Sequence, residues 1–152
     1  MEHRIKEAFE QGRSLGYKLV ANVIVSYKNE NETFILLLTR ANTESNPGKE
    51  EPPGGKIDAH ETALEGAKRE VFEETGIVIT DNIEFIACGD LTVDQKIVSR
   101  HFVFHARIVA QQEIVIDPQE HSVYRWAHID KLEESKVHPK LMHIIKEFRH
   151  KF

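Results

Sequence analysis

Between Gly55 and Gly76 the chain carries a segment that can fold in few ways, reading GKIDAHETALEGAKREVFEETGI over residues 55–77. Thr62 followed three residues later by Glu65 is a capping box, which starts a helix by satisfying its first free amides. Gly76 supplies the left-handed residue that ends one. Between these stops, Ala63, Leu64, Ala67, Val71 and Phe72 predict an apolar stripe, with Glu65, Arg69 and Glu73 elsewhere on the surface. Glu70, Glu73 and Glu74 crowd the last turns. Residues three and four apart are neighbours on a helix, so the spacing sets like charges side by side. Two unit charges ~4 Å apart repel by about 4 kcal/mol at an effective dielectric near 20. A hard divalent cation removes that repulsion, because such ions prefer carboxylate oxygens. The helix therefore proposes a metal, and the metal a chemistry.

The rest of the chain surrounds this helix with strands. Residues 2–13 predict a short helix with Ile5, Ala8 and Phe9 on one face. Tyr17–Tyr27 and Thr33–Thr39 read as strands, joined by the turn chemistry of Asn29 to Glu32. Arg40 to Gly55 is polar and rich in proline and glycine, a loop long enough to suggest function. Further strands are expected at 83–93, 98–109 and 123–129, and Glu113–Ile116 shows a short apolar alternation. Val137–Phe148 reads as a closing helix with Leu141, Ile144, Ile145 and Phe148 on one face. Strands interleaved with helices imply an α/β fold, a mixed sheet flanked by helices.

Bulk properties narrow the function. The 152 residues fit a single domain spanning 1–152. A net charge of −5, without a basic stripe, argues against nucleic acid as a partner. The longest apolar run, Phe34–Leu38, is far too short to span a bilayer, and no signal-peptide core opens the chain. One cysteine, Cys88, suits a reducing compartment; the expectation is a cytoplasmic protein with no membrane partner. Cys88 lies in the apolar run Phe85-Ile86-Ala87 and reads as a small buried hydrophobe. Phe34, Tyr124 and Trp126 read as core, and the nine histidines as structural or surface residues.

The segment 55–77 resembles the Nudix box, the signature of hydrolases of nucleoside diphosphates linked to another moiety. Gly55, Glu61, Arg69, Glu70, Val71, Glu73, Glu74, Gly76 and Ile77 meet the pattern, and Pro53-Gly54 precedes it as is typical. The resemblance implies a Nudix-like α/β/α sandwich. It implies Glu70, Glu73 and Glu74 as ligands of Mg2+ or Mn2+, with Glu70 also a candidate base, and the Gly54 carbonyl as a further ligand. Glu61 and Arg69 would form an ion pair holding the loop to the helix, which suits the fixed fork of a guanidinium. Glu120, six residues before Trp126, stands where some members place another metal-binding acid. Arg40 and Lys49, on the long loop, are candidate clamps for substrate phosphate.

In the implied reaction a metal-activated water attacks a phosphorus of the diphosphate linkage. Three rival readings are disfavoured. An isopentenyl diphosphate isomerase of this fold needs a cysteine upstream of the box, and Cys88 lies downstream. A ligand-sensing regulator would carry a DNA-binding domain. A purely structural domain would not keep the box intact. Auxiliary signatures of subfamilies are missing: Thr92 stands where an ADP-ribose type has proline, and Asp94 where a diadenosine polyphosphate type has tyrosine. Leu37-Leu38-Thr39-Arg40 is only faintly similar to the coenzyme A type. By elimination the substrate expectation is a (deoxy)nucleoside triphosphate cleaved to monophosphate and pyrophosphate. The alternatives are a nucleotide sugar, a dinucleoside polyphosphate or a coenzyme-type diphosphate. The partner is thus a small nucleotide, and a homodimer is allowed but not specified.

Overall fold

The computed structural model describes residues 2–152. The elements are α1 (Glu2–Ser14), β1 (Lys18–Asn29), β2 (Glu32–Arg40), β3 (Glu50–Glu51), β4 (Gly54–Lys56), α2 (Ala63–Thr75), β5 (Ile83–Val93), β6 (Lys96–Arg107), β7 (His121–His128), α3 (Pro139–Glu147) and a 3-10 turn at Arg149–Lys151. The sheet order is β3-β2-β1-β6-β5, with β4 also on β1 and β7 also on β2. Only β1 and β6 run parallel among the described residues, so the sheet is mixed.

Alternation along the strands builds the layers, because successive side chains point to opposite faces. Leu19, Ala21, Val23 and Val25 of β1 join Phe102 and Phe104 of β6 beneath Phe9 of α1 and Ala63, Ala67 and Val71 of α2. Ile24 of β1 and Val103 of β6 face the other way, with Ile35, Leu37 and Ala127, against Leu141 and Ile145 of α3. The result is the α/β/α sandwich expected from the sequence. Phe34, Tyr124 and Trp126 are half-buried and pack against the first of these cores.

Four expectations need correction. The loop 40–55 contains two short strands, β3 and β4, because β2 and β1 offer it free edges. Glu113–Ile116 forms no strand; Ile114 is nevertheless buried, and the Val115 amide donates to the Thr75 carbonyl at 3.1 Å. Leu64 and Phe72 lie outside the buried stripe of α2 and are 41% and 56% exposed. The stripe runs instead through Ala63, Gly66, Ala67, Val71, Glu74 and Thr75, so a carboxylate occupies a core position. Finally, Cys88 is exposed. It lies opposite Phe102 on β5, the edge strand of the sheet, beyond a register shift between Phe85 and Ala87.

Beneath α3, His105 bridges Ser26 and Glu84. Its Nε2 lies 2.7 Å from Ser26 Oγ and its Nδ1 3.5 Å from Glu84 Oε1. The order Ser–His–Glu matches a nucleophilic triad, but Ser26 is fully buried and no substrate reaches it. The arrangement is a structural hydrogen-bond chain. Burial holds the His105 imidazole down at about 4. A histidine neutral in the folded protein and titrating normally when unfolded binds more protons unfolded, so stability falls as pH drops from about 6.5 to about 4. This one group accounts for on the order of 3 kcal/mol across that window. In urea titrations the wild type should lose stability relative to His105→Gln as the pH drops from 7 to 4. An equally steep decline in the variant would reject His105 as the source.

Candidate active site

Helix α2 is locked at both ends as its sequence requires. Thr62 accepts from the Glu65 amide at 3.2 Å and Glu65 Oε2 accepts from the Thr62 amide at 2.8 Å. Gly76 stops the helix at φ 76°, its amide donating to the Phe72 carbonyl. Rotation about the helix axis is then set by one side chain. Arg69 donates through Nε to Glu61 Oε1 at 2.5 Å and through Nη2 to Glu61 Oε2 at 3.0 Å and the Lys56 carbonyl at 2.9 Å. Its Nη1 reaches Glu70 Oε1 and Glu73 Oε2, each at 2.9 Å. Glu61 in turn accepts from the Asp58 amide at 2.9 Å. The ion pair expected between Glu61 and Arg69 therefore joins the loop, strand β4 and two helix carboxylates. The Arg69 hydrogen bond holds the Glu61 carboxyl below its usual range.

Two glycines let strand β4 fit between its neighbours, Gly54 against β1 and Gly55 against the helix. A Cβ at Gly54 would lie 2.3 Å from the Ala21 carbonyl oxygen, and one at Gly55 would lie 2.5 Å from Glu70 Oε2. Neither position has room for a side chain. The Gly54 amide donates to Glu74 Oε2 at 2.8 Å. Glu74 is 8% exposed, and burial pushes its carboxyl up to about 8 despite that hydrogen bond, with the charges of Glu70, Glu51 and Glu120 adding to the rise. Glu70 is also raised by burial, against the opposing pull of Arg69.

Two chain-distant groups complete the cluster. The turn after Asp117 delivers Glu120 and His121, whose amides both donate to the Asp117 carbonyl. Glu74, Glu120 and His121 each present a donor atom within 4.8 Å of the others. The predicted acids are thus partly gathered: Glu70, Glu74 and Glu120 converge beside Gly54 and Gly55. Glu73 stands apart, its side chain 55% exposed and tied to Arg69. Arg40 and Lys49 are already engaged. Arg40 Nη1 grips Glu51 at 2.9 and 3.2 Å, its Nε donates to the Ser45 carbonyl at 2.6 Å, and Lys49 Nζ donates to the Ser135 carbonyl at 2.8 Å. Sequence reasoning passed over Glu51 and His121. Glu51 lay in the presumed loop, and only the contact across β2, β3 and β7 brings it to His121 Nε2, at 3.1 Å.

A cluster of carboxylates with one buried member held near neutrality is a poor arrangement for the protein alone and a good one for a divalent cation. A family model described as the NUDIX domain matches residues 17–148. The chain belongs to the Nudix family. No curated protein matches it. Among solved structures, the MutT protein of Methanosarcina mazei Go1 is 26% identical at a TM-score of 0.71, covering 89% of this chain and 94% of that one. The NUDIX domain of Shewanella oneidensis NrtR, solved with ADP-ribose, is 19% identical at a TM-score of 0.72, over 89% and 88% of the two chains. A MutT/nudix family protein from Enterococcus faecalis is 21% identical at a TM-score of 0.65; 74% of this chain is covered but only 44% of that one. Members of the family generally use divalent metals, and the acidic cluster fits that use. Among the described residues no helix is long and apolar enough to cross a membrane.

The glycine contact gives a direct test of this geometry in the Nudix box. In Gly55→Ala the new methyl group must displace the Glu70 carboxylate, the flexible partner in the clash. Circular dichroism should show the wild-type fold, while metal-dependent turnover falls by on the order of 100-fold, as misplacement near 1 Å can cause. Wild-type turnover in the variant would show that Glu70 need not sit where it does.

Proposed function

We propose that the chain hydrolyses a diphosphate linkage in a small nucleotide with Mg2+ or Mn2+, and that its substrate is a (deoxy)nucleoside triphosphate, cleaved to monophosphate and pyrophosphate. One observation carries the reading. Glu70, Glu74 and Glu120 converge on one side of α2 against a glycine pair, with Glu74 buried and crowded by like charge. Glu70, Glu74 and Glu120, with the Gly54 carbonyl, would hold the cation, and Glu73 would join them on exchanging its bond to Arg69. When bound, it would neutralise charge on phosphate oxygens and acidify a water.

The protein's own part is positioning and proton transfer. Arg69 fixes the Glu70 side chain from one side and Gly55 leaves it space on the other. These contacts support the reading in which Glu70 takes the proton as the water oxygen bonds to phosphorus and the bridging oxygen leaves with the second phosphate. Arg40 grips Glu51 and Lys49 the Ser135 carbonyl, so a role for either on phosphate would require exchanging partners. The triphosphate rests on the missing auxiliary signatures at Thr92 and Asp94. The chain would work in the cytoplasm on a soluble metabolite, and a homodimer is compatible with this.

Two experiments decide the matter. Glu73→Gln and Glu74→Gln should each remove most Mg2+-dependent turnover, by on the order of 100-fold or more, with the fold retained. Near-normal activity in both would sink the metal assignment. A hydrolysis panel of nucleoside triphosphates, nucleotide sugars, dinucleoside polyphosphates, coenzymes and ADP-ribose, with product identification, names the substrate. Preference for any class other than the triphosphates would overturn the specific choice while leaving the chemistry.

A further inference from the structure

His121 is the residue that the reading above does not use. It is 3% exposed, at the first position of β7, directly after Glu120. Its Nε2 meets Glu51 Oε1 at 3.1 Å. An ionised carboxylate only accepts, so in a neutral ring paired this way the proton sits on Nε2 and Nδ1 offers its lone pair. That nitrogen is buried and has no hydrogen-bond partner among the described residues. A buried, unpaired acceptor is costly unless something fills it. Glu51 is itself held by two contacts from Arg40 Nη1, so the ring orientation is fixed from behind. One of the two ring nitrogens of His121 lies within 4.8 Å of carboxylate oxygens of Glu74 and Glu120, and Nδ1 is the one left without a partner.

A histidine that gives one ring N–H to a carboxylate and leaves the other nitrogen free is the arrangement by which proteins orient an imidazole toward a metal. We propose that His121 Nδ1 is a ligand of the cation held by Glu74 and Glu120, with Glu51 and Arg40 as positioning residues behind it. The inference rests on the metal site proposed above and adds a nitrogen to it. Its consequence concerns selectivity. Imidazole favours first-row transition ions, whereas Mg2+ prefers oxygen donors alone. The mixed set should bind Mn2+ in preference to Mg2+ by more than an all-carboxylate site would.

Pulsed EPR on the full chain loaded with Mn2+ reads the bond directly. The wild-type protein should show coupling to a coordinated nitrogen, and its frequency should change when histidine is labelled with 15N. The coupling should vanish in His121→Gln or His121→Asn, whichever keeps the native circular dichroism. Calorimetry should show Mn2+ binding weakened by at least about tenfold in that variant and Mg2+ binding changed much less. Glu51→Ala should keep the nitrogen signal and weaken Mn2+ by on the order of tenfold; unchanged affinity would reject the positioning role. Absence of nitrogen coupling in a wild-type protein that binds Mn2+ and turns over substrate overturns the ligand and leaves the hydrolase standing. Coupling that persists in a folded His121 variant overturns it as well. Failure to bind any divalent ion overturns both.

Discussion

One guanidinium sets the geometry of the molecule's working side. Arg69 bonds to the loop acid Glu61, the β4 carbonyl of Lys56 and the helix acids Glu70 and Glu73. The five N–H groups of arginine lie in one plane and cannot be deprotonated, so a single side chain fixes three elements in register. Its side chain is about one-quarter exposed, which leaves these charges weakly screened. Strand β4 can then approach α2 closely enough that Gly55 has no space for a Cβ beside Glu70.

That approach produces the tension the site stores. Helix α2 buries a stripe against the sheet, and one member of the stripe is Glu74. An apolar side chain there would serve the core better. A carboxyl group in that place loses hydration and faces other acids, so its charged form is disfavoured. Stability is surrendered locally, a common pattern at functional sites and one that fits the proposed cation site.

Local signals in the sequence were read well and long-range ones poorly. The capping box at Thr62, the stop at Gly76 and the β-branched strand segments depend on neighbours in the chain, and the structure reproduces them. Leu64 and Phe72 were misassigned because hydrophobicity alone placed the helix stripe, whereas the Arg69 clamp and the glycine contact rotate Glu74 inward. Cys88 lies in an apolar run, which carries no signal that β5 is the edge strand of the sheet. Glu120, expected from its distance to Trp126, lies beside Glu74. Its neighbour His121 was not, since the meaning of that imidazole depends on Glu51, 70 residues away. Arg40 was legible as a residue of the site region but not as the holder of Glu51.

The way β1 is paired bears on how the site comes into being during folding. Strand β1 pairs with β2 near its end, β4 near its start and β6 along its other edge, the last in parallel. Parallel pairing demands a long crossover, and distant contacts cost loop entropy before they return any energy. The residues gathered around Glu74 come from β3, β4, α2 and the turn before β7, so no local fragment contains the constellation. Topologies of this kind fold slowly relative to helical bundles. The constellation is therefore a late property of the folding chain, and on the proposed reading an unfinished copy, lacking Glu120 beside Glu74, would have little hold on a cation.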